Sequence, residues 1–489
     1  MPATGIERRN KNYINYIGGK WTDAASGRSF PVHNPATGEE LAAVPDAGRQ
    51  DAARAIEAAH HAFPGWSGMA APERARLLLR ARDLMLERKE ALAHTLTSEQ
   101  GKPLTEARAE IEYAAGFVTW FAEEGKRVYG ETIPASAAHK RLLVIKQPVG
   151  VVAAITPWNF PAAMVTRKIA PALAVGCTVV LKPAEQTPLT AIGLFQIFEE
   201  VGFPAGAVNL ITTLDPAEVG REVLENPLVS MIAFTGSTEV GKLLMRGSAD
   251  QVKRISLELG GHAPFIVFED ADVDKAVAGA IASKFRNMGQ TCICANRIYV
   301  HESVLESFTE KFVERVKRLK MGNGLEEGVH VGPLIDEQGF KKVSAHVEDA
   351  VAKGAKILTG GRSRTDGIFE GGHFFEPTVL TDVQKGMRIL EEETFGPIAP
   401  VIPFRDETEV IRAANDSRSG LAAYFYSQNM SRCLRVAEQL EYGIIGVNDA
   451  VPAVPQAPFG GVKESGLGRE GGRQGIDEFL EVKAISFGL

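Results

Sequence analysis

Four short apolar runs, GVVAAIT (150–156), GCTVVLK (176–182), AVNLIT (207–212) and SMIAFTG (230–236), set the tightest limit on how this chain folds. Each is β-rich, is bounded by Gly or Pro, and leads into a stretch compatible with a helix. Parallel strands need crossover connections, and burial on both faces removes the polar alternation expected of a half-exposed strand. The alternation therefore predicts a parallel sheet with crossover helices.

A second series follows Gly261: APFIVF (263–268), RIYVH (297–301), a helix over 303–320, AKILTGG (355–361) and GIIGVND (443–449). A domain boundary is placed near 261. Residues 50–63 and 72–129 are rich in Ala, Leu, Glu and Arg at helical spacing and read as a helical layer. KRLLVIKQPVG (140–150) and the terminal LEVKAISFGL read as strands that need partners, so an oligomer in which they pair is expected.

A chain of 489 residues is too long for one core, and ordinary domain size suggests about three units. Its 54 Lys and Arg against 61 Asp and Glu give a formal net charge of −7. That argues against a broad nucleic-acid surface. The first twenty residues lack the apolar core of a secretory signal. The most apolar region, about 143–181, is interrupted by Lys146, Arg167, Lys168 and prolines, so it reads as buried strands and not a membrane span. Four cysteines make no disulfide framework at this length and fit a reducing cytoplasm.

Chemistry gathers where the runs end. Thr235–Gly236–Ser237 closes a strand and opens a helix, a place where backbone amides attract a diphosphate, although a plain turn explains it equally. In KPAEQTP (182–188), Lys182 and Glu185 suit the sugar of an adenosine, and a carboxylate there opposes a 2′-phosphate. A solvated loop accounts for the same residues. TPWNFP (156–161) offers the Asn159 amide to an oxyanion, or simply an Asn in a turn. Glu258, in the apolar ELGG turn (258–261), suits a base with a raised pKa or a paired structural glutamate.

GQTCICANR (289–297) places Cys292 and Cys294 one residue apart after an expected helix over 277–288. No second Cys pair or His cluster has the spacing of a zinc site. In an extended chain the two Cα atoms lie about 7 Å apart, at the outer limit for a bridge. A nucleophile and a pair of inert thiols both remain open on this stretch alone.

Taken together, TPWNFP, KPAEQTP, FTGSTEVG, ELGG, GQTCICANR, EETFGP and PFGGVKESGLGRE resemble the aldehyde dehydrogenase superfamily in order and spacing, over essentially the whole chain. The resemblance implies an α/β fold with a Rossmann-variant cofactor domain (1–139 and 151–261), an α/β catalytic domain (262–472) and oligomerisation strands (140–150 and 473–489). It implies Cys292 as nucleophile, Asn159 and the Cys292 amide as oxyanion donors, and Glu258 as the base for thioester hydrolysis. Lys168 and Glu470 would support proton movement. Trp158, Lys182, Glu185, Gly236, Ser237, Leu259, Glu393 and Phe395 would contact NAD or NADP, with no metal.

The stretches TRK (166–168) and FRNMGQTCICANR (285–297) look most like succinate-semialdehyde dehydrogenases, which implies Arg167 and Arg286 as ligands of a distal substrate carboxylate. A planar guanidinium grips a carboxylate in a fixed geometry. Succinate semialdehyde or glutarate semialdehyde would be the substrate, in a homodimer or homotetramer. One departure stands out: Ala453 and Val454 occupy the place of the serine usual in that subfamily. The alternatives are an aldehyde dehydrogenase for uncharged or aromatic aldehydes, with both arginines structural, and a binding module without chemistry.

Overall fold

The computed structural model describes residues 14–489. The first thirteen positions open both the expected 1–139 segment and the stretch read as lacking a secretory signal, and they lie outside the described residues.

The four apolar runs form strands Val151–Ile155, Thr178–Lys182, Val208–Leu210 and Val229–Thr235, joined by a fifth, Arg254–Glu258. All five pair in parallel. Helices Ala163–Val175, Pro188–Val201, Pro216–Glu225 and Thr238–Ser248 make the crossovers. Gly176 and Gly202, at φ 103° and 84°, end the first two of these helices in the left-handed conformation that glycine adopts without a Cβ penalty. From Val151–Ile155 the chain winds outward through 178–182 and 208–210, then returns to the other side of 151–155 through 229–235. That reversal opens a crevice at the carboxyl ends of the strands, between 151–155 and 229–235.

Short antiparallel strands extend both edges of this sheet. Asn15–Ile17 pairs with Val208–Leu210 on one side. Gly466–Leu467, expected in the 262–472 segment, pairs with Leu257 and Glu258 on the other. Gly466 permits this approach, since a Cβ there would lie 2.0 Å from the Leu257 carbonyl oxygen. The expected helical layer over 72–129 is three helices, Ala71–Glu87, Lys89–Gln100 and Leu104–Glu124, packed with Ala163–Val175 around Leu78, Leu96, Phe117 and Phe121. It breaks at Gly101, where φ is 94°.

The second sheet runs, in spatial order, from the antiparallel edge Lys356–Thr359 through Thr378–Thr381, Ile398–Phe404, Ala295–His301, Ala263–Val267 and Ala422–Tyr426 to Ile444–Val447. The runs at 378–381, 398–404 and 422–426 are not evident in the sequence pattern. Pro400 and Pro403 interrupt the strand signal of the middle one. The helix expected over 303–320 spans Glu302–Val316, and that over 277–288 spans Val273–Phe285.

The two segments expected to seek partners find each other. Lys140–Pro148 pairs antiparallel with Leu480–Gly488, from Leu480 opposite Pro148 to Gly488 opposite Lys140. Glu131–Ile133 completes this sheet, and Val482 and Phe487 remain 67% and 45% exposed on it. Among the described residues no helix is long and apolar enough to cross a membrane, and no group of three or more His, Cys, Asp or Glu could hold a metal ion.

Candidate active site

The carboxyl ends of the first sheet's strands face a loop supplied by the second sheet. Helix Val273–Phe285 stops at Arg286, and Asn287, Met288 and Gly289 then follow at φ 49°, 57° and 72°. A left-handed methionine costs about 1–2 kcal/mol, so the turn must be held by its neighbours. Asn287 Nδ2 donates to the carbonyls of Asn159 at 2.9 Å and Gln290 at 3.2 Å, and the Asn287 amide donates to Glu106 Oε2 at 2.8 Å. Gln290 Oε1 accepts from the Ile335 amide at 2.9 Å, and Tyr424 donates its hydroxyl to the Ile293 carbonyl at 2.7 Å. Cys292 sits at the tip of this locked loop, half-buried. A Cβ on Gly261 would lie 2.2 Å from the Cys292 carbonyl oxygen, so ELGG must end in glycine for the two sheets to meet here.

Glu258, at the end of its strand, lies beside this thiol. Burial, then the charge of Glu258, pushes the Cys292 thiol well above its ordinary value. Burial likewise raises Glu258, opposed by Arg167, whose Nη2 lies 3.4 Å from Glu258 Oε2. Glu258 Oε1 is buried without a hydrogen-bond partner. Asn159 Nδ2 donates to the Gln290 carbonyl at 3.1 Å. An amide carries two hydrogens, so one remains to face a ligand.

Behind these residues Arg167 and Lys168 both engage Glu470. Burial alone would raise Glu470, yet the two cations hold its carboxyl below the usual range. Arg167, expected to hold a substrate carboxylate, is therefore occupied by Glu258 and Glu470, with the Phe459 ring centroid 4.2 Å from its Cζ. Arg286 is half-buried, with its Cζ 5.4 Å from the Phe160 ring centroid. The Tyr113 phenol is shifted by the same groups. Burial raises it, Arg167 and Arg286 oppose the rise, and Cys292 adds to it. Ala453 packs on the second core and Val454 is 38% exposed, so this stretch offers no hydroxyl.

The paired cysteines are not equivalent. Cys294 is buried, and its Sγ donates to the Lys284 carbonyl at 3.6 Å and to that of Ala295 at 3.8 Å. All four cysteines are free. A bridge to Cys292 would have to break both contacts.

The residues expected to hold a nucleotide gather at the carboxyl ends of the first sheet's strands, with Glu393 meeting Gly261 and Phe395 meeting Trp158 there. Ser237 caps helix Thr238–Ser248 by accepting from the Val240 amide at 3.3 Å. Lys182 pairs with Glu185 at 3.0 Å. Trp158 and Phe395 meet edge to face at 5.4 Å. Glu393 accepts from the Gly261 amide at 3.2 Å, and burial pushes its carboxyl up to about 7. Leu259 packs so closely on Gly241 that a Cβ there would lie 2.4 Å from its Cδ2. Thr235 Oγ1, one residue before Gly236, is buried without a partner. A helix N-terminus, an orphaned hydroxyl and a carboxylate beside a lysine, all at a strand-order reversal, fit a dinucleotide.

Sequence reasoning misses Lys102, Glu106, Glu110 and Tyr113. Lys102 lies in the break between two helices and the other three on the helix that follows, among other charged and apolar residues, and only the fold turns them toward Asn159 and the Cys292 loop.

Residues 21–485 match the model of the Aldehyde dehydrogenase family. The chain is 56% identical over 470 residues to a glutarate-semialdehyde dehydrogenase of Pseudomonas putida, covering 96% of each chain. It is 54% identical over 473 residues to succinate-semialdehyde dehydrogenase GabD of Escherichia coli, whose name specifies NADP(+), covering 97% of each. The crystal structure of succinate-semialdehyde dehydrogenase from Burkholderia pseudomallei superposes with a TM-score of 0.95 at 53% identity, covering 97% of this chain and 98% of that one.

Proposed function

The chain belongs to the aldehyde dehydrogenase family, and on that basis we propose that it oxidises a carboxylated semialdehyde, succinate semialdehyde or its homologue glutarate semialdehyde, to the dicarboxylic acid. The observation that carries this reading is the placement of two guanidinium groups at the nucleophile's loop: Arg167 Nη2 lies 3.4 Å from Glu258, beside Cys292, and Arg286 opens the turn that leads to Cys292, with its Cζ 5.4 Å from the Phe160 ring centroid. Two cations so close to a nucleophile suit a substrate with an anion at its far end.

Once its thiol proton has passed to solvent, Cys292 Sγ adds to the aldehyde carbon as thiolate, while Asn159 Nδ2 and the Cys292 amide hold the resulting oxyanion. A nicotinamide held at the strand ends would supply the hydride acceptor, leaving the acyl group on Cys292 as a thioester. Glu258 then takes a proton from water as the water oxygen bonds to the acyl carbon. The C–S bond breaks, and its electron pair returns to Cys292. Lys168 and Glu470 keep the charge behind Glu258 fixed.

Trp158, Lys182, Glu185, Gly236, Ser237, Leu259, Glu393 and Phe395 would hold the nucleotide. NAD is the first reading, because a carboxylate at Glu185 would accept from ribose hydroxyls and oppose a 2′-phosphate. The partial neutralisation of Glu185 by Lys182 leaves NADP as the second. Residues up to 261, apart from 140–150, are assigned to nucleotide binding and 262–472 to catalysis. The exposed sheet of 140–148 and 480–488 is assigned to a homodimer or homotetramer contact. Four free thiols suit a reducing cytoplasm.

One observation favours an uncharged aldehyde instead: Glu258 and Glu470 already occupy Arg167. Nucleotide reduction measured with succinate semialdehyde, glutarate semialdehyde, propanal and benzaldehyde decides between them. Turnover of propanal or benzaldehyde alone overturns the first reading.

A further inference from the structure

Arg167 and Glu258 are each assigned a task that their contact obstructs. Arg167 Nη2 lies 3.4 Å from Glu258 Oε2, with side chains 1% and 2% exposed. A guanidinium paired to a glutamate is a poor anion receptor, and a carboxylate paired to a guanidinium is a poor proton acceptor. Elsewhere on Arg167, Nε faces Glu470 Oε2 and Phe459 stacks against its Cζ. An incoming carboxylate is left the edge between Nη1 and Nη2, where it competes with Glu258 for Nη2.

Building on the carboxylated-semialdehyde reading, we propose that the substrate's distal carboxylate displaces Glu258 from the Nη edge of Arg167 and so releases the general base. A substrate without that carboxylate would acylate Cys292 but leave it slowly. One carboxylate replaces another, so the buried guanidinium never stands unpaired. Glu470 keeps its hold on the Nε side throughout. The freed Glu258 already has an unpartnered Oε1 and lies beside Cys292. Its basicity rises once the opposing pull of Arg167 is removed, since burial is the larger influence on it. The released step is thioester hydrolysis. A water proton passes to Glu258, the water oxygen bonds to the acyl carbon, and the C–S electron pair returns to sulfur.

The test reads the fraction of Cys292 carried as acyl-enzyme at steady state, by intact mass after acid quench. The substrates are succinate semialdehyde, its neutral methyl ester, and propanal with and without added acetate. We expect little acyl-enzyme with the acid and near-complete occupancy with the ester and propanal, hydrolysis being at least about ten-fold slower for these two. Acetate should drain the propanoyl-enzyme saturably and should do nothing in Arg167→Met. The wild-type arms decide the matter even if that variant fails to fold. Equal occupancy for acid and ester, with no effect of acetate, overturns the exchange. If kcat/KM still favours the acid in that case, the substrate reading stands. If kcat/KM shows no preference, the substrate reading falls as well.

Discussion

Lys102 Nζ donates to the main-chain carbonyl of Asn159 at 2.7 Å while pairing with Glu110 Oε2 at 2.5 Å, and neither charged side chain is more than 1% exposed. Glu110 Oε1 in turn accepts from the Ala162 amide at 2.9 Å and the Ala163 amide at 3.3 Å, at the start of the helix that carries Arg167 and Lys168. One ion pair thus fixes the backbone of the expected oxyanion donor to the helix behind it.

Removing one member of a buried pair strands the other. Lys102→Met should lower unfolding free energy by about 3–5 kcal/mol in a denaturant titration. Lys102→Met combined with Glu110→Gln should recover a substantial part of that loss. A single variant as stable as the wild type would show that the pair does not hold this corner.

Cys292→Ala should abolish turnover. Glu258→Gln should still reduce one equivalent of nucleotide rapidly and then stall as acyl-enzyme, because hydride transfer needs only the nucleophile and the oxyanion donors. Loss of that first rapid phase in Glu258→Gln would remove Glu258 from the hydrolytic role.

The pH dependence follows from two raised groups. Glu258 accepts a proton only as carboxylate, and burial raises it, so hydrolysis should fall as pH drops through a value above the ordinary glutamate of about 4.3. Cys292 reacts as thiolate, and the negative charge of Glu258 adds to the burial that holds its thiol up. Neutralising that charge in Glu258→Gln should move the iodoacetamide alkylation profile of Cys292 to lower pH. A profile that stays in place would mean the two groups are not coupled.

Asn159→Ala removes a donor to the oxyanion and should lower kcat by about 100- to 1000-fold with a smaller change in KM. A change confined to KM would assign Asn159 to binding alone.

Glu185→Ala removes the carboxylate beside Lys182 and should raise the NADP-to-NAD ratio of kcat/KM by about ten-fold. An unchanged ratio would place nucleotide choice elsewhere in the crevice.

The parallel sheet and the strand-end residues are legible in the sequence because their patterns are local: a short apolar run, a closing Gly or Pro, and a helical stretch. Relationships across long separations are not. Arg167 and Glu258 are 91 positions apart, and Lys168 and Glu470 are 302 apart. Nothing in TRK or ELGG says that the two will meet. The terminal strands read as unpartnered for the same reason, since Leu480–Gly488 finds Lys140–Pro148 only in three dimensions. Cys292 and Cys294 look alike in GQTCICANR, and the left-handed turn at Asn287–Gly289 sends one thiol toward Glu258 and the other toward Lys284.

The most direct measurement is the ratio of kcat/KM for succinate semialdehyde to that for propanal, in the wild type and in Arg286→Ala. We expect a wild-type ratio above about 100, falling at least ten-fold in the variant as the guanidinium that meets the distal carboxylate is lost. A wild-type ratio near one, or the same ratio in both proteins, would contradict a carboxylated substrate.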